Sequence, residues 1–490
     1  MTDVIPTPRS AFITDLTVDQ LLRSSRDRLL LDDYEPAAVV RESAVSPWPG
    51  DLAGRLLLSL SRLARAGHVG EERVRALFEA MVDETADVGY FGPELGDDVE
   101  EQQIACHGWV AAAYFQYGHV FGDERGHHMG MRVVDALLLP ALARFGDYPH
   151  ERQTSLVGAP SGTATQTVNG WRISTDTWCV FLALNGLLPA WEHTRRDDIA
   201  AVIEVLVDKL ALIDVVEQRA QLHASLTAAR GAARYAELSG SESALRTAVE
   251  VYRTYTEHAR TLNWATYNWF DRPDTWTEPC AIVDSLGLAL ALWRLTGEDH
   301  YARDVVRIEE NALAFAERAD GSFGLDSIAT MAAPELRVVH MDARWCCTVR
   351  GCVGLMDVRD HAAYWESGGL TLALPRTGVA SNGAWSVRTE LSPGRSRLTL
   401  VVVTAPEGAV DLRVRSPFFD VDVVLPAQTG ASAVQQLRWE SWTERLPAGL
   451  LVIEQERIIV PADEGPIPLR ELRTTVREGS TVRLVTPSDE

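Results

Sequence analysis

The strongest chemical signal in the chain comes from four residues in two short segments. Glu278-Pro279-Cys280 and Trp345-Cys346-Cys347 together offer three sulfurs and one carboxylate. Thiolates hold zinc tightly, and a carboxylate can complete a tetrahedral site. Glu278 and Cys280 stand two apart, which suits the irregular start of a helix predicted from about Ala281. No CxxC spacing is present, so this is not a zinc-finger pattern. Free cysteines also serve as small buried hydrophobes, and spacing alone leaves both readings open. The neighbouring Cys346 and Cys347 make a poor disulfide, because the bridge would strain the peptide between them. The chain has six cysteines, at positions 106, 179, 280, 346, 347 and 352. A cluster of this kind points to metal or catalysis before structural bridges.

Other groups carry weaker signals. His107 and His223 fall in apolar helical stretches, where a histidine is usually a satisfied core residue. Trp264, Trp269 and Trp276 lie just before Glu278; their rings suit a sugar face and suit core packing equally. His127-His128 reads as a surface helix start. His340 stands close to the cysteine pair, and Cys352 reads as buried filler.

The elements that must position these groups are mostly helical. Apolar residues recur at three- and four-residue spacing in Val18–Leu31, Leu52–Ala66, Val74–Val82, Gly108–Phe121, Gly130–Phe145, Ile199–Val216, Leu222–Leu238, Ala244–Thr261, Ala281–Leu295 and Tyr301–Ala316. Three junctions look alike: Gly122-Asp123-Glu124, Gly240-Ser241-Glu242 and Gly297-Glu298-Asp299. In each a glycine closes one helix and a polar residue opens the next. Repeated hairpins of this kind can close into an (α/α)6 ring. Near residue 365 the texture changes to short β-type segments separated by Pro, Gly and Asp turns. They include Arg397–Thr404, Val410–Val414, Asp420–Leu425, Leu450–Ile459 and Thr481–Val485. The predicted architecture is a helical toroid over 1–365 and a C-terminal antiparallel β-sandwich over 366–490. The first 45 residues read as a polar, irregular lead-in with one helix.

Bulk properties narrow the partners. The 490 residues carry 69 acidic and 46 basic side chains, a net charge of −23. Such a surface repels nucleic acid and anionic lipid. Met1–Pro6 has neither a basic region nor an apolar run, and no stretch of about 18 apolar residues occurs. The reading is a cytoplasmic protein whose thiols stay reduced, acting on a small molecule or saccharide, with a homodimer left open.

Seven segments, in order from about Pro47 to Ser381, resemble glycoside hydrolase family 127, the β-L-arabinofuranosidase group. They are Trp48-Pro49-Gly50-Asp51-Leu52-Ala53-Gly54, Asp87-Val88-Gly89-Tyr90-Phe91-Gly92, Cys106-His107-Gly108, Leu222-His223-Ala224 through Tyr235, Thr277-Glu278-Pro279-Cys280-Ala281, Tyr301-Ala302-Arg303 through Ala312, and Trp345-Cys346-Cys347-Thr348. The resemblance implies that Glu278, Cys280, Cys346 and Cys347 bind zinc. It implies that Cys346 is the nucleophile, forming a thioglycosyl intermediate in a retaining reaction. It also implies that His107 and His223 line the ring interior against substrate; Asn263 and Trp264, shortly before Glu278, are read as further substrate contacts. Zinc lowers thiol pKa values, and a covalent intermediate divides one hard displacement into two easier ones.

One feature departs from the family. Retaining hydrolysis needs a group that gives a proton to the leaving oxygen and later takes one from water. The family uses a glutamate, and its column here is Asn263, whose amide cannot shuttle a proton. Glu257, Asp271 and Asp274 are nearby carboxyls that could substitute. The alternative is a biosynthetic tailoring enzyme that keeps the zinc and cysteines but runs non-hydrolytic chemistry. A third reading is an inactive binding protein with a structural zinc.

Overall fold

The computed structural model describes residues 11–13, 16–149, 161–366, 369–463 and 465–486. Six helices form an inner ring: Asp51–Arg65, Glu101–Phe121, Leu184–Thr194, Leu222–Ser239, Pro279–Thr296 and Cys347–Asp360. Each packs on the next and the last packs on the first. An outer helix covers each in turn: Glu71–Glu84, Glu124–Val133, Asp197–Leu212, Glu242–His258, Asp299–Ile308 and, against the last, Leu16–Leu29. This is the (α/α)6 toroid read from the sequence. Outer helices bury one stripe; Asp299–Ile308 buries Tyr301, Ala302, Val305, Val306 and Ile308 together with Asp304, which accepts from the Tyr252 hydroxyl at 2.9 Å. Inner helices are buried nearly all round. Pro279–Thr296 is long and apolar enough to cross a membrane, yet 72% of it is buried inside the ring.

The three repeated junctions work as the sequence suggests. Gly122, Gly240 and Gly297 close their helices with φ of 63°, 77° and 72°, a region that costs other residues energy. Asp123 and Ser241 then cap the following helices, accepting from the backbone N–H of Arg125 and Ala244. Glu298 holds the third cap position without a side-chain bond.

The C-terminal strands form the β-sandwich. Arg397–Thr404 alternates buried Leu398, Leu400 and Val402 with outward residues, between Ser386–Leu391 and the edge strand Ser432–Gln436 of a five-stranded sheet. Pairing is antiparallel except where Leu412–Arg415 runs parallel to Gly369–Leu372. Two strands cross the division near 365. Ala11–Ile13 joins the sandwich beside Gly378–Ser381, and Thr481–Arg483 pairs with Glu335–His340 on the toroid. The N-terminal lead-in is therefore more ordered than its sequence suggests: it supplies this strand, the helix Leu16–Leu29 and a second helix, Pro36–Val45. Three-residue strands carry no periodicity, and their partners lie more than a hundred residues away. Met1–Pro6, used in the sequence reading, lies outside the described residues.

Toroid and sandwich are joined by polar groups from one π-helical turn, Glu309–Leu313. Glu309 pairs with Arg376, and Glu310 with Arg395 and Arg470. Asn311 donates to the Glu456 carbonyl at 2.8 Å and accepts from the Ile458 N–H at 2.7 Å. Glu456, itself fully buried, binds Arg303 and Arg307. A buried seam of charges fixes relative position because any slippage would leave an ion unpaired.

Candidate metal centre

All six inner helices begin at the same end of the ring. Their C-terminal halves line a cavity of about 1550 Å³ at the opposite end, with Arg62, Gln116, Pro189, Arg234, Arg294 and Asp357 in its wall. At the N-terminal end the two cysteine segments meet. Cys280 sits in the first turn of Pro279–Thr296, with Glu278 in the cap position, and Cys347 opens Cys347–Asp360, with Cys346 in the cap position. The donor atoms of Glu278, Cys280, Cys346 and Cys347 all lie within 4.8 Å of one another. Helix N-termini carry partial positive charge, which favours thiolates and carboxylates there.

The sulfur spacing distinguishes metal from disulfide. Cys280 and Cys347 sulfurs are 3.8 Å apart, and those of Cys346 and Cys347 are 3.4 Å apart. A disulfide needs about 2.05 Å. A tetrahedron with zinc–sulfur bonds of about 2.3 Å has edges of about 3.8 Å. All six cysteines are free thiols. The electrostatics favour a cation too. Burial and then the Cys280 sulfur push the Glu278 carboxyl well up, burial pushes the Cys280 thiol to about 12, and burial raises Cys347. Four acidic donors crowded in a buried site resist ionising together unless positive charge joins them. The donor set therefore fits a thiophilic divalent ion such as zinc.

Cys346 differs from the other three. It is half-buried while they are buried. Hydrogen bonds from the Cys280 and Cys347 thiols draw its own thiol down to about 6, against the opposing effect of burial.

Residues that the sequence did not single out support the cluster. Arg55, on the first inner helix, is 5% exposed and paired with Asp51 at 2.8 Å. Its guanidinium donates to the Cys280 sulfur at 3.5 Å and to His223 Nε2 at 3.4 Å. Asp284, one turn beyond Cys280, is fully buried and accepts from His223 Nδ1 at 2.5 Å, Arg230 at 2.6 Å, Arg350 at 2.8 Å and Thr227 at 3.0 Å. A carboxylate only accepts, so His223 carries its proton on Nδ1 and turns the Nε2 lone pair to Arg55. Asn268 supports Glu278 directly. With its amide oriented to satisfy both neighbours, it donates to Glu278 Oε2 at 2.8 Å and accepts from Trp276 Nε1 at 2.9 Å. Trp109 stacks on His223 and lies under Arg55 and over Arg350, closing the site toward the large cavity.

Of the residues expected to touch substrate, His223 is linked to the cluster by two hydrogen bonds through Arg55. His107 is not free to bind anything. Its Nδ1 donates to the Gln103 carbonyl at 2.7 Å, its Nε2 accepts from the Phe91 N–H at 2.9 Å, and burial pulls it down to about 4. Its neighbour Gly108 lies so close to the Leu182 carbonyl that a Cβ would overlap it. Asn263 and Trp264 face the seam. The Asn263 amide accepts from Thr261 and donates to the Asn311 carbonyl, and Trp264 packs on Arg260, Arg307 and Trp442. The three substitute carboxyls sit in exposed ion pairs, Glu257 with Arg253, Asp271 with Arg219 and Asp274 with Arg272. Trp269 and Trp276 pack edge-to-face and serve as hydrogen-bond donors to Thr175 O and Asn268. His340 is exposed beside Trp345 and Glu478. His127 joins Glu124 and His193 in a second, surface group of donors within 4.8 Å.

Fold and site together describe an (α/α)6 toroid with a β-sandwich and a glutamate–tricysteine centre at the mouth of the ring. Solved structures of glycoside hydrolase family 127 share the whole architecture. A β-L-arabinofuranosidase of that family from Geobacillus stearothermophilus T6 superposes with a TM-score of 0.65 at 12% identity, covering 92% of this chain and 86% of that one. A second family-127 β-arabinofuranosidase gives a TM-score of 0.69 at 10% identity, covering 94% and 85%. A protein described only as a glycoside hydrolase gives 0.63 at 10% identity, also covering 94% and 85%. No protein-family model and no curated protein matches the sequence.

Proposed function

We propose that this protein is a divergent, retaining glycoside hydrolase of the β-L-arabinofuranosidase type with a zinc–thiolate centre. The observation that carries the reading is that Cys346 alone of the four clustered ligands has a solvent face. Glu278, Cys280, Cys346 and Cys347 would hold zinc, which when bound keeps sulfur deprotonated by its positive charge. In the first step the Cys346 sulfur attacks the anomeric carbon, the carbon–oxygen bond breaks, and the leaving oxygen takes a proton from an acid. In the second, water attacks the same carbon, the sulfur departs as thiolate, and the proton of water goes to the conjugate base. Arg55 holds positive charge against the sulfurs throughout. Free thiols agree with a reducing, cytoplasmic setting.

Turnover of 4-nitrophenyl β-L-arabinofuranoside that vanishes in Cys346→Ala, with a glycosyl mass trapped on Cys346 in quenched reactions, supports this reading. Turnover that survives Cys346→Ala overturns it. The second reading, non-hydrolytic tailoring on the same scaffold, draws on the amide at Asn263 where the family has its acid. It requires that sugar become attached to Cys346 and that no oxygen from labelled water appear in the product.

A further inference from the structure

A thiolate nucleophile solves half of a retaining displacement. The other half is a proton at the departing oxygen, and a carboxyl in the ring mouth must supply it if water is to finish the reaction. Most carboxyls there are committed. Asp51 is paired with Arg55, and Asp284 with Arg230, Arg350 and His223. Glu101 is fully buried, bonded to the Tyr148 hydroxyl and to the Ser174 N–H. Glu278 belongs to the donor cluster.

Asp176 is different. It lies between the strand Trp171–Ser174 and the turn Cys179–Ala183 that leads into the third inner helix. In the order of the ring that helix stands opposite Cys347–Asp360, the helix of the cysteine pair. The loop is locked against the site wall. Thr175 O accepts from Trp269 Nε1 at 3.2 Å, and Thr177 O accepts from the Gln221 N–H at 3.1 Å. Trp269 follows Asn268, which holds Glu278, and Gln221 leads into His223. Trp178 completes the loop with φ of 72° while 1% exposed, a conformation that buried packing must enforce. From Ile173 to Leu184 every residue is buried except Asp176.

Its carboxyl is oriented by neutral donors. Ser161 Oγ donates to Oδ1 at 2.9 Å and Gln102 Nε2 to Oδ2 at 3.1 Å. Among the described residues no cation forms a salt bridge with it. Burial raises its pKa, over the opposing hydrogen bonds of Ser161, Gly162 N–H and Gln102, and Glu101 raises it further. Asp176 and Glu278 are near enough for their charges to interact. The titratable groups facing Asp176 are thus Glu101 and Cys106 from the second inner helix and Glu278 from the fifth.

Resting on the function proposed above, we propose that Asp176 is the acid that protonates the leaving oxygen and the base that then deprotonates the attacking water, the role Asn263 cannot fill. In the first step the Asp176 O–H bond breaks and its proton goes to the leaving oxygen as sulfur bonds to carbon. In the second, Asp176 carboxylate takes a proton from water as the carbon–sulfur bond breaks. The acid is regenerated and no other reactant is consumed.

The test compares leaving groups in Asp176→Asn. An alkyl arabinofuranoside departs as a strong base and needs the proton; 4-nitrophenolate departs without it. Asp176→Asn is expected to lose roughly 10²- to 10⁴-fold in kcat/KM on methyl β-L-arabinofuranoside. It should stay within about tenfold of wild type on the 4-nitrophenyl glycoside, whose glycosylation step needs no acid. The alkaline limb of the wild-type pH profile should disappear. Sodium azide should restore turnover of the aryl substrate, giving an arabinosyl azide of retained configuration. Equal losses on both substrates, with azide without effect, overturn the assignment of Asp176 while leaving the Cys346 mechanism standing. Wild type inactive on both substrates overturns the glycosidase reading, and Asp176 with it. Ser161→Ala is the milder second variant, to be used if Asp176→Asn does not fold. It removes one donor and should shift the alkaline limb upward, whereas an unmoved limb counts against the role.

Discussion

Replacing Asp284 by Asn tests the core of the ring directly. The amide keeps the shape of the carboxylate and removes its charge. Asp284 is fully buried and answers three cationic or dipolar partners, Arg350 at 2.8 Å, Arg230 at 2.6 Å and His223 at 2.5 Å. Burial alone would raise its pKa, yet Arg350, His223 and Arg230 together hold it far below the usual carboxylate range. Arg350 is 2% exposed and has no other ion-pair partner within reach among the described residues. Breaking a buried pair by removing one partner costs about 3–5 kcal/mol, because the remaining charge is stranded. With an unfolding entropy of about 2.1 cal/mol/K per residue, a chain of this length changes by about 1 kcal/mol per degree. Asp284→Asn should therefore lower Tm by about 3–5 °C, and added salt should not narrow the gap, since the pair is shielded from ions. The exposed pair Arg253–Glu257 is the control; Glu257→Gln should leave Tm in place. Differential scanning calorimetry reads both. A Tm for Asp284→Asn matching that of the control refutes the claim that this buried charge knot sustains the ring.

Two further outcomes follow from the same geometry. Asn268→Ala removes the partner of Glu278 and strands Trp276 Nε1; metal affinity, measured by competition with a chromophoric chelator, should weaken about 10- to 100-fold, as for other groups that orient ligands, and unchanged affinity argues against Glu278 as a ligand. His107 is held neutral by burial, at about 4 against 6.5 in the unfolded chain. Its folded pKa is depressed, so the unfolded chain takes up the proton first and stability falls as pH drops from about 6.5 toward 4. His107→Gln should remove about 2 kcal/mol of the stability lost between pH 7 and pH 5; parallel urea midpoints at the two pH values for both proteins would contradict this.

The sequence carried the metal cluster because Glu278, Cys280, Cys346 and Cys347 fall in two compact segments, each at a helix start. It carried Arg397–Thr404 residue for residue because alternation over eight positions is a strong signal. Two inner helices were harder to read. Leu184–Thr194 contains Pro189, and Cys347–Asp360 is buried all round with two glycines, so neither shows an amphipathic stripe. The supporting residues were hidden for another reason. Arg55 meets Cys280 across 225 positions and Asp284 meets Arg350 across 66, and no local pattern records such pairs. His107 matched a motif, but only the fold shows that Gln103 and Phe91 occupy both its nitrogens. Asp176 carried no signal at all. A lone aspartate after a short strand looks like any turn residue until the ring closes around it.

The proposed chemistry needs a metal bound where two helix starts meet, and elemental analysis of the purified protein measures it. Inductively coupled plasma mass spectrometry should find about one equivalent of zinc, and the Cys280→Ser/Cys347→Ser double variant should lose that equivalent. A folded, catalytically active protein free of transition metal, or a double variant with the metal content of wild type, contradicts it.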